Sequence, residues 1–536
     1  LVPCGHTSNG KASQGYQLAC ALLARNGLAA LIYDPIDQGE RGQMLTDEGK
    51  PPFKGVAGHD MLGIGSILVG RNTARYRIWD GMRSIDYLQS RPEVDGERIG
   101  CTGNSGGGTM TSYLMALDDR VEVAAPSCYL TTMHKLIHTI GPQDAEQCIH
   151  GQLGFVMEHA DYIHMRAPKP TLMCVATNDF FDIEGAWTTF RHAKRLYTRM
   201  GFGERVGLIE NDAKHGFTKP LREGAVRWMM RWLLDDYEPI TEPEIEVLGE
   251  NEIQCTPDGQ VMRLDGARSA YHINADYERD VLAPRRRELW GTGEHETLRG
   301  RVRELAGIRE LGKLPELEVN SFGKVEREDC TIEKLVLIPE PDVFLAGLLF
   351  VPKSETTKGP VLFVHEDGKA AEAAPEGVIT QLVESGHAVL AIDLRGMGKT
   401  KLKSWRQMNI AYLLGRSFMG MRAEDVLVAA RYLAERTSNS SSSVSLVAVG
   451  HVGVPALHAA ALEPKLFNQV KLVRTLKAWS NAVTTWPTEN QWPNVVHAAL
   501  TAYDLPDLAR LLGKRVTIES PVDPRGEPLD EPTGSD

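Results

Sequence analysis

Ser105 is the residue of this sequence whose surroundings most clearly suit covalent chemistry. It lies in the run G-N-S-G-G at residues 103–107, which follows a strand-like run at 98–102 and precedes a helix-like run at 108–117. A serine on a sharp strand-to-helix turn needs neighbours without a Cβ atom, because the turn brings the strand and helix backbones close together. The pattern therefore predicts a nucleophile elbow that exposes the Ser105 hydroxyl to a base.

A carboxylic acid and a histidine follow Ser105, each after its own apolar run. The run at 170–176 leads to Asp179, and the run at 206–210 leads to His215. The order serine, acid, histidine differs from that of the chymotrypsin and subtilisin triads and fits an elbow of this kind. We therefore predict that Ser105, Asp179 and His215 form a catalytic triad.

A second carboxylate, Asp182, is the alternative acid. Asp179 comes first after the predicted strand, so it lies nearer the carboxyl edge of the sheet, where α/β folds place functional groups. Asp182 also suits the N-cap of the next helix, with its carboxylate accepting a backbone hydrogen bond near Gly185. We favour Asp179 as the acid and keep Asp182 as the alternative.

The predicted triad also requires hydrogen-bond donors for the negative charge that develops on the substrate oxygen. His215 takes the serine proton during attack and returns it to the leaving alcohol. The elbow supplies one donor in the backbone N–H of Gly106. A second donor is expected from the loop at residues 4–11, where His6 and Thr7 are the candidates.

Five segments of the first half of the chain form a further set of motifs, at residues 5–11, 33–41, 83–88, 90–95 and 103–107. Together these segments resemble the acetyl xylan esterase-like branch of the α/β-hydrolases, and more distantly the dienelactone hydrolases and prolyl oligopeptidases. The resemblance covers residues 1 to about 237 and implies an α/β fold with a mostly parallel sheet flanked by helices. It also implies a serine esterase that is secreted or periplasmic.

The sequence defines the substrate less closely than it defines the fold and the proposed triad. The resemblance implies deacetylation of xylan or of small acetylated sugars through an acyl-enzyme. Better-studied members carry Gln after the serine and often Glu after the histidine, whereas this chain has Gly106 and Gly216. A hydrolase of another ester, a lactone or a peptide bond is therefore an alternative, and a non-catalytic polysaccharide-binding protein is a further one.

Composition restricts the partners that this chain can have. A net charge of −12 and a pI of about 5.8 argue against nucleic acid as a partner, because phosphate binding needs a clustered cationic surface. The longest apolar run, at 18–24, is too short to span a bilayer. In an insertion at 129–167, His134 and His138 have the i, i+4 spacing of metal ligands but lack an acidic partner, so we expect no metal and no cofactor.

An internal repeat indicates tandem α/β-hydrolase-like domains. Residues 361–400 echo residues 1–39, with these matched pairs: His6 and His365, Gly10 and Gly368, Lys11 and Lys369, Asp34 and Asp393, Gly39 and Gly398. A period of this length indicates duplicated domains. The second elbow carries Val452 where a nucleophile would stand, so the second copy is predicted to be non-catalytic.

The repeat also predicts the domain boundaries. We expect a catalytic domain at 1–238, a linker with a hairpin and helices at 239–330, and the degenerate copy at 331–536. The hairpin signal is the turn-rich run at 254–261. The second copy has two strand-like runs before residue 361 that the first copy lacks, so we expect the given chain to be a fragment of a longer product.

Overall fold

The computed structural model describes residues 1–354, 358–402, 404–437 and 443–529. The chain divides into two compact units, the first comprising Leu1–Gly63 and Asn72–Ile273, the second Ile64–Arg71 and Asn274–Asp536. Residues 239–330 do not form a unit of their own, because 239–273 group with the first unit and the remainder with the second. The boundaries at 238 and 331 therefore remain a proposal.

Parallel strands form two adjacent sheets in the first unit. They are β1 (Val2–Pro3), β2 (Ile32–Tyr33), β3 (Ile99–Asn104), β4 (Val121–Ser127), β5 (Thr171–Asn178) and β6 (Val206–Lys214). β1 pairs with β2, and β3, β4, β5 and β6 pair in that order. The Leu1 carbonyl accepts a hydrogen bond from the Thr102 N–H at 3.1 Å, which joins β1 to β3. The two-stranded and four-stranded sheets therefore lie side by side in the order β2-β1-β3-β4-β5-β6.

Helices connect and cover these strands. They are α1 (Gln14–Arg25), α2 (Val56–Leu68), α3 (Thr73–Gln89), α4 (Gly106–Leu117), α5 (Met133–Thr139), α6 (His159–Met165), α7 (Ile183–Arg199) and α8 (Lys219–Met229). Val123 of β4 and Leu172 of β5 pack in one buried cluster with Leu22 of α1 and Leu221 of α8. Strands covered in this way read as continuous apolar runs, as β5 does. The predicted α/β fold with a parallel sheet is confirmed.

The second unit contains a larger, mixed sheet. Its strands are β7 (Glu318–Glu326), β8 (Cys330–Glu340), β9 (Val343–Pro352), β10 (Val361–His365), β11 (Val389–Ile392), β12 (Val444–Val449), β13 (Phe467–Val473) and β14 (Val516–Glu519). Their order is β14-β13-β12-β10-β11-β9-β8-β7. β7, β8, β9 and β11 pair antiparallel, and β11, β10, β12, β13 and β14 pair parallel. The order β11-β10-β12-β13 repeats the order β2-β1-β3-β4 of the first unit.

The remaining helices follow residue 269. They are α9 (Ala270–Tyr277), α10 (Ala283–Gly291), α11 (His295–Ala306), α12 (Val378–Glu384), α13 (Asn409–Leu413), α14 (Phe418–Arg436), α15 (Gly453–Leu462), α16 (Trp479–Thr484) and α17 (Leu505–Leu512). Residues 254–261 form turns that lead into a short 3-10 helix, so the predicted hairpin is wrong. Within the described residues, no helix combines the length and hydropathy that crossing a bilayer requires.

Each unit contains its own copy of one lysine–aspartate ion pair. In the first unit, the Lys11 backbone N–H and Nζ donate to the two carboxylate oxygens of Asp34, each at 2.7 Å. In the second unit, Lys369 makes the same two hydrogen bonds to Asp393, again each at 2.7 Å. These are residues that the sequence comparison of the two halves pairs, so the repeat extends to side-chain contacts.

The two elbows differ in backbone conformation. Ser105 has φ 59° and ψ −125° between β3 and α4. At the matching turn of the second unit, Val452 has φ −73° and ψ −9°, and the positive φ lies at Gly450 instead. The Val452 side chain is fully buried. The second turn therefore neither carries a nucleophile nor presents one.

Candidate active site

The backbone around Ser105 explains why glycines flank it. A positive φ at a non-glycine residue is strained, and such strain is typical of a nucleophile elbow. A Cβ atom added to Gly103 or Gly107 would lie 2.4 or 2.2 Å from the Pro3 carbonyl oxygen of β1. The Ser105 N–H donates to the Ser127 carbonyl at 2.9 Å. The serine is thus held on a tight turn between β3 and α4.

The structure brings Asp179 and His215 together. Asp179 follows β5 and His215 follows β6, and these strands are neighbours in the sheet. His215 Nδ1 lies 2.9 Å from Asp179 Oδ1 and 3.0 Å from Oδ2. The Asp179 side chain is buried, and the Phe180 ring stacks on the imidazole with 4.2 Å between ring centroids. The ring is therefore oriented by its Nδ1, which leaves Nε2 as the nitrogen suited to proton transfer.

Asp182 is occupied differently. Its Oδ1 accepts a hydrogen bond from the Gly185 N–H at 2.8 Å and caps α7. Its other oxygen, Oδ2, lies 3.5 Å from Lys135 Nζ. The structure therefore separates the two candidate acids, with Asp179 on the histidine and Asp182 on a helix terminus.

Cys128 links the serine turn to the histidine loop, and no motif in the sequence marks it. It follows Ser127, whose carbonyl binds the Ser105 N–H, and its thiol donates to the Gly216 carbonyl at 3.6 Å. Burial raises the pKa of the Cys128 thiol to about 12, so it stays neutral and does not compete as a nucleophile. The loops that bear Ser105 and His215 are thus both attached at the end of β4.

The structure places the predicted oxyanion donors His6 and Thr7 differently. A Cβ atom on Gly106 would lie 2.8 Å from Glu146 Oε1 and 3.2 Å from His6 Nδ1, so the His6 ring adjoins the elbow. The Thr7 hydroxyl donates to the Gly10 carbonyl of its own loop at 3.4 Å. The structure therefore places the His6 side chain beside Gly106, whereas the Thr7 hydroxyl stabilises the loop.

The insertion at 129–167 forms α5, α6 and the turns between them. His134 and His138 share one face of α5, with 4.3 Å between their ring centroids. The same insertion carries Asp144 and Glu146, whose carboxylates reach the His6 side chain at 2.9 and 3.1 Å. The sequence suggested a metal site only at His134 and His138, and no motif in it links His6 to Asp144 and Glu146.

His159 in α6 is expected to make the first unit sensitive to acid. Its buried Nδ1 accepts a hydrogen bond from the Thr131 N–H at 3.2 Å, and burial lowers the pKa of His159 to about 4. As the pH falls through the ordinary pKa of histidine, His159 binds a proton in the unfolded chain but not in the folded chain. The unfolding free energy therefore falls. Between neutral pH and about pH 4.5, this loss is expected to be on the order of 2 kcal/mol.

The measurement is urea unfolding of the wild type and of His159→Gln across this pH range. The variant lacks the titrating group, so its unfolding free energy is expected to change less with pH than that of the wild type. A His134→Ala variant serves as the control, because this substitution removes a histidine of α5 outside the His159 site. Parallel pH profiles for wild type and His159→Gln would contradict the prediction.

The sheet order and a strained serine between strand and helix are features of the α/β-hydrolase fold. Residues 68–235 match the family model described as the prolyl oligopeptidase family. The predicted resemblance to α/β-hydrolases is therefore confirmed for this part of the chain.

Among proteins of known sequence, the chain is similar to "Putative hydrolase YtaP" of Bacillus subtilis (strain 168), with 30% identity over 174 residues. The match covers 31% of this chain and 56% of that protein, so the chain spans little more than half the length of this relative.

Two solved structures are also similar to this chain. "Methylesterase BT1017" is 23% identical, with a TM-score of 0.40 over 53% of this chain and 60% of that one. An acetyl xylan esterase from Paenibacillus sp. R4 is 17% identical, with a TM-score of 0.28 over 42% and 75%. At these identities and TM-scores the two likenesses carry no functional assignment.

Proposed function

We propose that the first unit is a serine carboxylesterase in which Ser105, Asp179 and His215 form the catalytic triad. The observation that carries the proposal is the hydrogen-bonded Asp179–His215 pair, formed at the ends of two neighbouring strands of the sheet in which β3 leads into the strained Ser105. The attachment of both the serine turn and the histidine loop at the end of β4 supports it.

The proposed reaction proceeds through an acyl-enzyme. His215 Nε2 accepts the Ser105 proton as Oγ attacks the ester carbonyl carbon, and the Gly106 N–H donates to the resulting oxyanion. The imidazolium, stabilised by Asp179, then protonates the leaving alcohol as its C–O bond breaks. Water, deprotonated by the same histidine, hydrolyses the acyl group from Ser105 and restores the free enzyme.

Acetylated xylan or small acetylated sugars are the substrate class that we propose. The motif resemblance of residues 1 to about 237 supports this class, and the relative with 30% identity is named a hydrolase. Other esters, lactones and peptide bonds are the alternatives, and a non-catalytic polysaccharide-binding protein is a further alternative.

Substrate profiling separates these alternatives. Acetate release from acetylated xylan is compared with hydrolysis of p-nitrophenyl esters of increasing chain length, of a lactone and of a prolyl peptide. We expect acetyl esters to give the highest kcat/KM among these. A preference for long acyl chains, lactones or peptides would reject the acetyl substrate class, and absence of all hydrolysis would reject the esterase proposal.

We further propose that the second unit is a non-catalytic module, and a Val452→Ser substitution tests this. In a Ser105→Ala background, Val452→Ser is expected to give no ester hydrolysis above the background rate. The new hydroxyl would be fully buried on a turn with ordinary helical φ and ψ, where no ester carbonyl can reach it. Hydrolysis of p-nitrophenyl acetate by this double variant, measured against Ser105→Ala alone, would overturn the prediction if it rose above that control.

A further inference from the structure

Four potential metal-ligand side chains converge beside the elbow of the first unit. His6 Nε2 lies 2.9 Å from Asp144 Oδ2 and 3.1 Å from Glu146 Oε1. His59 Nδ1 lies 3.0 Å from Asp144 Oδ2, 3.4 Å from Glu146 Oε2 and 3.3 Å from His6 Nε2. His59, Asp144 and Glu146 are buried, and His6 alone reaches the surface. We call these four residues the His6 cluster.

The hydrogen bond of His59 Nε2 determines whether His59 Nδ1 carries a proton or a lone pair. His59 Nε2 lies 2.8 Å from the Ile36 carbonyl oxygen, which can only accept, so Nε2 carries the proton. In the neutral ring Nδ1 then bears a lone pair, and it faces a carboxylate oxygen of Asp144, which is also an acceptor. A backbone carbonyl that fixes the tautomer in this way is the usual support for a metal-bound histidine.

With both imidazoles neutral, the His6 cluster and Arg77 together carry one negative charge in excess. Two carboxylates are buried there, and the guanidinium of the buried Arg77, which forms an ion pair with Glu146, brings one positive charge. Within the described residues, Asp144 Oδ1 is buried and has no hydrogen-bond partner. Burying a carboxylate costs free energy unless it is paired with a cation or binds a metal. The His6 cluster therefore favours binding of a further cation.

The donor set and its spacing indicate which cation. Two imidazole nitrogens and two carboxylate oxygens suit zinc and related divalent transition metals, whereas calcium and magnesium prefer oxygen alone. A tetrahedral site with metal–ligand distances near 2.1 Å has ligand–ligand edges of about 3.4 Å. In the His6 cluster, each histidine nitrogen lies 2.9 to 3.4 Å from the other histidine and from one oxygen of each carboxylate. One ligand atom from each of the four residues lies within 4.8 Å of the others, so small side-chain shifts would let one ion bind all four.

We propose that His6, His59, Asp144 and Glu146 bind one divalent transition-metal cation of the zinc class. His6 comes from the loop after β1, His59 from α2, and the two carboxylates from the insertion at 129–167. The metal ties this insertion to the loop that lies against Gly106. Its role is to hold that loop in place, and the inference goes beyond the proposed esterase function.

Metal content and cobalt spectroscopy test the site without reference to activity. The full chain is purified with its affinity tag removed, and bound metals are measured by mass spectrometry. The chelator-treated protein is then titrated with Co²⁺, whose visible absorption reports nitrogen and oxygen ligands, and Zn²⁺ is added as a competitor. We expect one zinc-class ion per chain, a visible cobalt band and displacement of that band by Zn²⁺.

Two ligand variants and a matched control locate the site. His6→Ala removes the partly exposed ligand, and Asp144→Asn keeps the side-chain shape. Each is expected to weaken cobalt binding by about 100-fold or more. His134→Ala removes a histidine of α5 outside the His6 cluster and is expected to bind cobalt as the wild type does.

The results that overturn the site do not depend on every variant folding. Wild-type protein with no bound metal and no cobalt band would overturn the proposal on its own. Unchanged cobalt affinity in folded His6→Ala and Asp144→Asn, or an equal loss in His134→Ala, would also overturn it. Zinc is further expected to raise the Tm of the chelator-treated wild type, because a ligand that binds only the folded state stabilises it. Loss of esterase activity with metal binding intact would instead count against the proposed function alone.

Discussion

Ser105→Ala is expected to lower kcat for ester hydrolysis by about 10⁴- to 10⁶-fold, the typical cost of losing a triad nucleophile. The alanine keeps the fold of the turn but cannot form the acyl-enzyme. The residual rate would come from the oxyanion donors and substrate binding alone. The measurement is steady-state hydrolysis of p-nitrophenyl acetate, together with mass spectrometry after treatment with a fluorophosphonate, which labels activated serines.

Ser84→Ala is the matched control for this variant. Ser84 lies in α3, where its hydroxyl donates to the Asp80 carbonyl one turn earlier, so its removal leaves the proposed triad untouched. The control is expected to keep its kcat and to take up one fluorophosphonate, whereas Ser105→Ala is expected to take up none. Activity within tenfold of the wild type in Ser105→Ala would reject the acyl-enzyme mechanism.

Asp179→Asn is expected to lower kcat by about 10³- to 10⁴-fold. The carboxylate accepts a hydrogen bond from His215 Nδ1, which keeps the proton on that nitrogen and leaves Nε2 free as the base. An amide NH₂ at this position would donate to Nδ1 instead and move the proton to Nε2, the wrong tautomer for attack. KM is expected to change little, because Asp179 does not contact the substrate in the proposed reaction.

Asp182 provides the comparison within the same loop. Asp182→Asn is expected to keep kcat near the wild-type value, because asparagine caps a helix about as well as aspartate. Asp182→Ala is expected to lower the unfolding free energy by about 1 kcal/mol through loss of the cap on α7. If Asp182→Asn lost more activity than Asp179→Asn, the catalytic acid would be Asp182.

The local parts of the candidate site could be predicted from the sequence because each part has a local signature. The apolar run at 206–210 lies in β6, and the run at 170–176 lies in β5 apart from its first residue. The glycines around Ser105 mark a turn at which two backbone segments approach closely. Asp179 could be preferred over Asp182 because the end of a strand and the start of a helix have different polar requirements.

The parts that the sequence missed are assembled from distant segments. His6, His59 and Asp144 are separated by tens of residues, and no spacing rule connects a loop, a helix and an insertion. Cys128 is one of several buried cysteines and becomes notable only beside Gly216. The hairpin expected at 254–261 did not form because turn residues alone do not make a hairpin without strands that can pair.

The lysine–aspartate ion pair that occurs in both units allows the two units to be compared with each other. Lys11 and Lys369 hold Asp34 and Asp393 with the same bonds, although only the first unit presents a serine at its elbow. Because the second unit has this lysine–aspartate pair although its turn carries Val452, we assign the pair to the architecture of the loop. If the proposed function is correct, features that both units share belong to the scaffold, and features that only the first unit has are candidates for the chemistry.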